Sequence, residues 1–224
     1  MRSASEYMRT TGLVNIGKLK ETPFCIIGCG SLGSFTATML AHMGATKITL
    51  YDDDVVEPHN LPVQFLHRGF LGEKKAEALK TQLDSWHPDL EVTAVPKKFE
   101  QGSEASQITI MCVDSLKARK LIFSNLIKQP SVEWILDTRA GGNTAAVYTL
   151  PSSDFKKVKF FKTSLQGEAD PLPCTERMSL FIATQVASLV CNQVRNILRN
   201  DDRIAFELIY DANLMDLMGG LSEY

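Results

Sequence analysis

The chain has 224 residues, of which 44% are hydrophobic and 22% charged, with a formal net charge of −2 at neutral pH. That length can bury one substantial core, and so even a charge balance makes no electrostatic case for nucleic acid or an anionic membrane surface. No apolar run approaches the roughly 20 residues of a membrane span, and the Met1–Ser5 start lacks the apolar core of a signal peptide. The cytosol is the expected compartment, and five cysteines without regular spacing fit reduced thiols there.

Residues 1–23 read as an N-terminal arm carrying Tyr7-Met8-Arg9, and residues 24–224 as a single domain. The arm gives way to Phe24-Cys25-Ile26-Ile27, an apolar β-type run that breaks into Gly28-Cys29-Gly30-Ser31-Leu32-Gly33. Leu32, Phe35, Met39, Leu40 and Met43 then recur at helical spacing. A second β run, Thr46–Tyr51, ends in Asp52-Asp53-Asp54. Strand, glycine turn, helix, strand and acid together form the fingerprint of a nucleotide site. Glycines let backbone N–H groups approach phosphate, the helix N-terminus favours the anion, and Asp52 stands where a carboxylate accepts from ribose hydroxyls. Dehydrogenases, flavoproteins and adenylating enzymes all use this turn, so the nucleotide stays open on these residues alone.

A polar loop with Pro58 and Asn60 follows, turned back toward the phosphates, and Leu71–Lys75 opens a helix with Ala76, Leu79, Leu83 and Trp86 on its core face. A lysine at a helix start opposes the helix dipole, so Lys75 suggests a nearby anion, with Lys74 as its solvated neighbour. Strands are expected at Leu90–Val95, Gln107–Cys112 and Val132–Asp137, and antiparallel ones at Ala145–Leu150 and Arg203–Tyr210. Asp114 and Ser115 begin the helix that carries Leu116, Arg119 and Ile122. Either of the two can cap that helix, and a cap from Ser115 frees Asp114 for a metal.

Asp137-Thr138-Arg139 lies where open α/β sheets bind ligands, so Asp137 and Arg139 are candidate substrate or phosphate contacts, or else a mutual ion pair in a turn. Asp154–Pro173 has no clear period and is expected to be a mobile crossover loop. Cys174 follows at a helix start with Arg177 one turn on, an environment that lowers a thiol pKa. The helix after it is apolar nearly all round (Phe181, Ile182, Val186, Leu189, Val190, Val194, Ile197) and needs cover on more than one side, from the sheet plus loops or from a second subunit. Cys25, Cys112 and Cys191 sit on apolar faces as core thiols, and neither paired C-x-x-C motifs nor histidine spacing proposes a zinc site.

Asp52, Asp54, Val56, Asn60, Leu61 and Gln64 match the pattern D-x-D-x-V-x-x-x-N-L-x-R-Q. With the glycine turn, this segment closely resembles the ThiF/MoeB/HesA superfamily, bacterial relatives of ubiquitin-activating enzymes. The resemblance implies an α/β fold with a Rossmann-like, mostly parallel sheet, helices on both faces and antiparallel C-terminal strands. It also implies ATP-dependent transfer of AMP to the C-terminal carboxylate of a small ubiquitin-like or sulfur-carrier protein or peptide. Gly28, Gly30, Ser31, Leu32, Gly33, Asp52, Asp54, Asn60, Gln64, Lys75 and Arg139 would hold ATP, Asp114 would hold Mg²⁺, and Arg9 would reach the partner subunit's site in a homodimer. Cys174 would take the activated carrier as a thioester or persulfide, although several relatives do without such a cysteine and an inert, half-buried thiol is the alternative. The family arginine before the glutamine is Val63 here, and the usual asparagine after Asp114 is Ser115. Both departures keep open a catalytically weak nucleotide-binding scaffold, and the glycine turn alone keeps open an NAD-dependent oxidoreductase.

Overall fold

A computed structural model of the chain describes residues 4–166 and 179–220. Its sheet has eight strands in the order β3-β2-β1-β4-β5-β6-β7-β8: β1 (Pro23–Ile27), β2 (Lys47–Tyr51), β3 (Glu91–Val95), β4 (Ile108–Met111), β5 (Trp134–Gly141), β6 (Thr144–Pro151), β7 (Glu207–Asp211) and β8 (Asp216–Gly220). The β1–β5 pairings are parallel, and those of β6, β7 and β8 antiparallel. Strands buried on both faces read as near-continuous apolar runs, as Phe24–Ile27 does and Ile108–Met111 does apart from the buried Thr109.

Helices cover both faces. On one, α2 (Ser31–Met43), α3 (Lys75–Trp86) and α6 (Leu180–Arg199) pack with Leu40, Leu79 and Val190 in the larger core cluster. On the other, α4 (Leu116–Leu126) and α5 (Phe155–Ser164) bring Phe123 and Phe161 against Met111 and Tyr148. A short α1 (Ile16–Glu21), capped by Asn15, closes the arm, and Arg199 donates to the Gly12 and Leu13 carbonyls.

Four expectations are corrected. Residues 155–164, expected within a crossover loop, form α5: the Asp154 carboxylate accepts from the Lys156 and Lys157 N–H groups, and Val158 and Phe161 face the core. The edge strand β8 went unforeseen because two of its five residues are glycines. Helix α6 is not apolar all round: Thr184, Ser188, Asn192 and Arg199 form a polar stripe, Phe181 is 54% exposed, and α2 and the sheet cover the rest. Its apolar face therefore needs no second subunit. Trp86, placed on the core face of α3, is 43% exposed, while Ala76, Leu79 and Leu83 are fully buried.

The ten-residue α5 is held mainly by what it buries, since a helix that short is marginal in isolation. Phe161→Ala should lower the unfolding free energy by about 3–5 kcal/mol. Phe155→Ala, on the same helix but 85% exposed, should change it by less than about 0.5 kcal/mol. Urea unfolding of the two variants checks the docking; equal effects would place α5 off the sheet.

Candidate active site

The parallel pairing of β1 with β2 and β4 brings three strand ends together, and the glycine turn sits among them. Gly28 has a φ of +97°, and a side-chain carbon there would lie 2.7 Å from the Cys112 carbonyl oxygen. One at Gly33 would lie 1.8 Å from the Gly28 carbonyl oxygen. These two glycines are dictated by packing. At Gly30 the nearest atom is Gln64 Nε2, at 3.9 Å, so there the missing side chain opens space rather than relieving a clash. Ser31 and Leu32 begin α2 directly behind Gly30, aiming its N-terminus at that space.

Asp52 closes the turn. One carboxylate oxygen accepts from the Cys29 N–H at 2.6 Å, the other from the Asp54 N–H at 2.8 Å. Burial pushes the Asp52 carboxyl above the ordinary aspartate value, opposed by those two N–H groups and by Lys75. The loop after Asp54 folds back on itself: Val56 N–H donates to Glu73, Gly72 N–H to Val56, and Lys75 N–H to Asp54. That return brings the Lys75 ammonium, 7% exposed, within 2.8 Å of the Asp54 carboxylate. Lys74 is not the solvated neighbour expected; it is half-buried, and its ammonium donates to the Asp53 carbonyl.

Asn60 is buried and accepts from the Glu57 N–H at 3.0 Å, which fixes the bend at Pro58. Phe65 N–H donates to the Ser34 hydroxyl of α2, so Gln64 is carried to the glycine turn. Gln64 is 9% exposed, yet its side-chain oxygen has no hydrogen-bond partner. A buried polar atom left unpaired costs about 1–3 kcal/mol, a cost that a bound polar group or water would remove. Val63 beside it is half-buried and brings no cation.

The Gly28–Cys112 contact sets the loop after β4 against the turn. Ser115 caps α4 by accepting from the Ala118 N–H at 3.3 Å. Asp114 is exposed, with no hydrogen bond or ion pair among the described residues. Asp52, Asp53 and Asp54 also place carboxylate oxygens within 4.8 Å of one another. Asp52 and Asp54 are engaged as above, and Lys98 lies 3.6 Å from Asp53.

Arg139 and Asp137 pair not in a turn but within β5, where the Arg139 Nε–Asp137 Oδ2 distance is 2.7 Å. Arg139 also donates to the Ser164 hydroxyl and carbonyl at the end of α5 and lies 4.4 Å over the Tyr148 ring. The other Asp137 oxygen takes Arg119, a buried residue given no role by sequence reasoning because it sits among apolar neighbours on α4. Arg9 is exposed and, among the described residues, unpaired. The Tyr7 ring near it lies against Gly44 at the far end of α2 from the turn, about 20 Å away by helix rise; within one chain the two are not brought together. Cys174 lies outside the described residues. Cys25, Cys29, Cys112 and Cys191 are free and buried, and burial pushes the Cys25 thiol up to about 12 and Cys112 to about 11.

The model of the ThiF family matches residues 4–216. The chain belongs to the ThiF family. Among curated members it is similar to adenylyltransferase and sulfurtransferase UBA4 of Kluyveromyces lactis, 33% identical over 119 residues, covering 50% of this chain and 27% of that protein. It is also similar to ubiquitin-like modifier-activating enzyme 5 of Culex quinquefasciatus, 29% identical over 142 residues, covering 53% of this chain and 36% of that one. The chain thus spans between a quarter and two-fifths of these two relatives. Crystal structures of PaaA (TM-score 0.75, 17% identity) and of E. coli MccB with AMPCPP and MccA (TM-score 0.74, 15% identity) each cover 98% of this chain, which spans 74% and 72% of theirs. They share its fold. Among the described residues no helix is long and apolar enough to cross a membrane.

The three glycines should separate in mutation. Gly33→Ala should unfold the turn, whereas Gly30→Ala should keep the wild-type melting temperature and lose ATP affinity by about tenfold or more, about 1.4 kcal/mol. Calorimetric titration with ATP decides; unchanged affinity in Gly30→Ala would place the ligand elsewhere. The raised Asp52 pKa has a sign as well. Protonation removes an acceptor from the Cys29 N–H, so affinity should fall on acidification, beginning above the ordinary aspartate range. Titrating ATP binding against pH should show that acid limb, and Asp52→Asn should abolish it.

Proposed function

We propose that this chain is an ATP-dependent adenylyltransferase that activates the C-terminal carboxylate of a small ubiquitin-like or sulfur-carrier protein or peptide. The observation that carries this is the open space at Gly30, bounded by the Gln64 side-chain amide, with buried Lys75 on the returning loop and Asp114, which makes no hydrogen bond or ion pair among the described residues, on the next. A dinucleotide oxidoreductase gives Lys75 and Asp114 no task. Its similarity to an adenylyltransferase and sulfurtransferase and to a ubiquitin-like modifier-activating enzyme supports the same chemistry, as do MccB structures with ATP and with MccA.

A carboxylate acylates poorly until it carries a good leaving group. Its oxygen attacks the α-phosphorus of ATP, pyrophosphate departs, and the acyl carbon becomes open to a nucleophile. The α2 N-terminus and the turn's N–H groups bind phosphate, Asp52 accepts from the ribose, and Lys75, Asn60 and Gln64 line the loop across from them. Asp114 fits a magnesium ion: a lone exposed carboxylate, free of protein donors, suits a cation that takes one or two carboxylates together with substrate phosphates. Bound there, the ion would screen triphosphate charge. A homodimer would bring Arg9 of a second copy to the pyrophosphate. Cys174 would then attack the acyl carbon as thiolate, releasing AMP and leaving the carrier as a thioester. Val63, which supplies no cation, favours a second reading as a nucleotide-binding scaffold without turnover.

ATP–pyrophosphate exchange tests the proposal. Wild type should exchange only with a carrier whose C-terminal carboxylate is free, and Asp114→Ala should lower the rate by about a hundredfold or more with the fold intact. Lys75→Ala should act in the same direction and more mildly. No exchange with any such carrier would leave the scaffold. Mixing Arg9→Ala with Asp114→Ala subunits should restore part of the activity, since one site of the mixed dimer is complete; a monomer by light scattering would remove Arg9 from the site.

A further inference from the structure

Asp137 is 0% exposed, in the middle of the sheet, and two guanidinium groups share it. Arg119 reaches it from the first turn of α4. The same guanidinium donates to the Thr138 carbonyl at 3.1 Å and, with its other terminal nitrogen, to the Val113 carbonyl. Arg119 joins β5 to the backbone of the residue preceding Asp114. Its own N–H makes the ordinary helical bond to the Ser115 carbonyl, so Arg119 is tied to the loop on both sides of Asp114, whose carboxylate makes no hydrogen bond among the described residues while feeling the Arg119 charge.

Such a splint is expensive in the interior. Burial lowers the Arg119 pKa to about 10, with the nearby Arg139 charge adding to the effect. An apolar side chain would fill α4's inner face without that cost, as Ile122 and Phe123 do one turn on. What an apolar side chain cannot do is hold the Val113 carbonyl at a fixed distance from β5. Arg139 completes the arrangement by occupying the second oxygen of Asp137 at 2.7 Å, so that carboxylate cannot rotate away from Arg119. Arg139 is in turn held by Ser164 and the Tyr148 ring.

We propose that Arg119 is a positioning residue for Asp114: clamped by Asp137, with Arg139 locking the clamp, it fixes the Val113–Ser115 loop in the geometry that presents the Asp114 carboxylate to a phosphate-bound divalent cation. This rests on the metal role given to Asp114 above. Residues that orient a metal ligand without touching the metal typically carry 10–100-fold in affinity.

The test uses the full chain, with Mn²⁺ as the probe, its binding in the presence of ATP followed by electron paramagnetic resonance. Arg119→Lys keeps the charge but loses the fork, and should weaken Mn²⁺ by about tenfold while ATP affinity in EDTA stays within about twofold. Asp114→Ala should weaken it at least as much. The double variant should lose no more than Asp114→Ala alone, since a residue that acts through Asp114 has nothing left to position. Wild-type Mn²⁺ affinity in Arg119→Lys, or a further loss in the double variant, overturns the proposal, and so does a wild-type chain that binds no Mn²⁺ with ATP. Should Arg119→Lys fail to fold, Arg139→Met, at the partly exposed end of the network, should weaken Mn²⁺ by two- to threefold; unchanged affinity there overturns it equally. Adenylylation itself stands or falls separately: a chain with Asp114- and Arg119-dependent Mn²⁺ binding but no pyrophosphate exchange keeps the splint and loses the reaction.

Discussion

The Gly28 carbonyl oxygen occupies the space where a side chain at Gly33 would be, 1.8 Å from such a carbon. Because that contact is possible, α2 can start directly under the end of β1 and point its first N–H groups out of the sheet. Everything functional hangs from this turn. Asp52 at the end of β2 grips the Cys29 N–H, the returning loop docks on Ser34 of α2, and the β4 loop rests on Gly28. Three strand ends and two loops thus share a single short backbone segment, and a displacement there moves every candidate ligand-binding group together.

The charges around the turn are arranged so that few of them are free. Asp54 faces Lys75, Asp53 faces Lys98, and Asp137 faces Arg119 and Arg139. Buried cations without partners cost several kcal/mol each, so these pairings are what allow Lys75 and Arg119 to be buried at all. Asp114 stands apart from the pattern: its helix already has a cap in Ser115, and its carboxylate makes no hydrogen bond or ion pair among the described residues, feeling only the charge of Arg119 nearby. An acid left unpaired beside an anion-binding turn opposes that turn's purpose unless a cation joins them.

The elements that set this geometry were readable because each is forced by local chemistry. A β run that breaks into spaced glycines, then helical periodicity, then a strand ending in acid permits few alternatives, and β1, α2 and β2 fall there. The Ser115 cap was readable for the same reason. Helix α5 was missed although Asp154, Val158 and Phe161 carry its cap and its buried face, because four lysines among residues 156–162 disguise the spacing as polar loop. The narrow Thr184–Ser188–Asn192 stripe of α6 was hidden among large apolar residues. Arg119 could not be read at all. Its role depends on Asp137, 18 residues away on β5, and only the docking of α4 beside the paired β4 and β5 brings the two together.

That same pairing of charges bears on how pyrophosphate would leave. Lys75 is already neutralised by Asp54, position 63 holds valine, and Arg119 and Arg139 are committed to Asp137. Departing pyrophosphate concentrates negative charge where these groups offer little net positive charge to meet it. Backbone N–H groups at the α2 N-terminus carry only about half an elementary charge between them, and a divalent cation at Asp114 leaves part of the anion unbalanced. Adenylylation at this site therefore needs one more cation than these residues supply. Arg9, exposed and unpaired among the described residues, is held at the opposite end of α2, so under the proposed function it would answer that deficit only from a second copy.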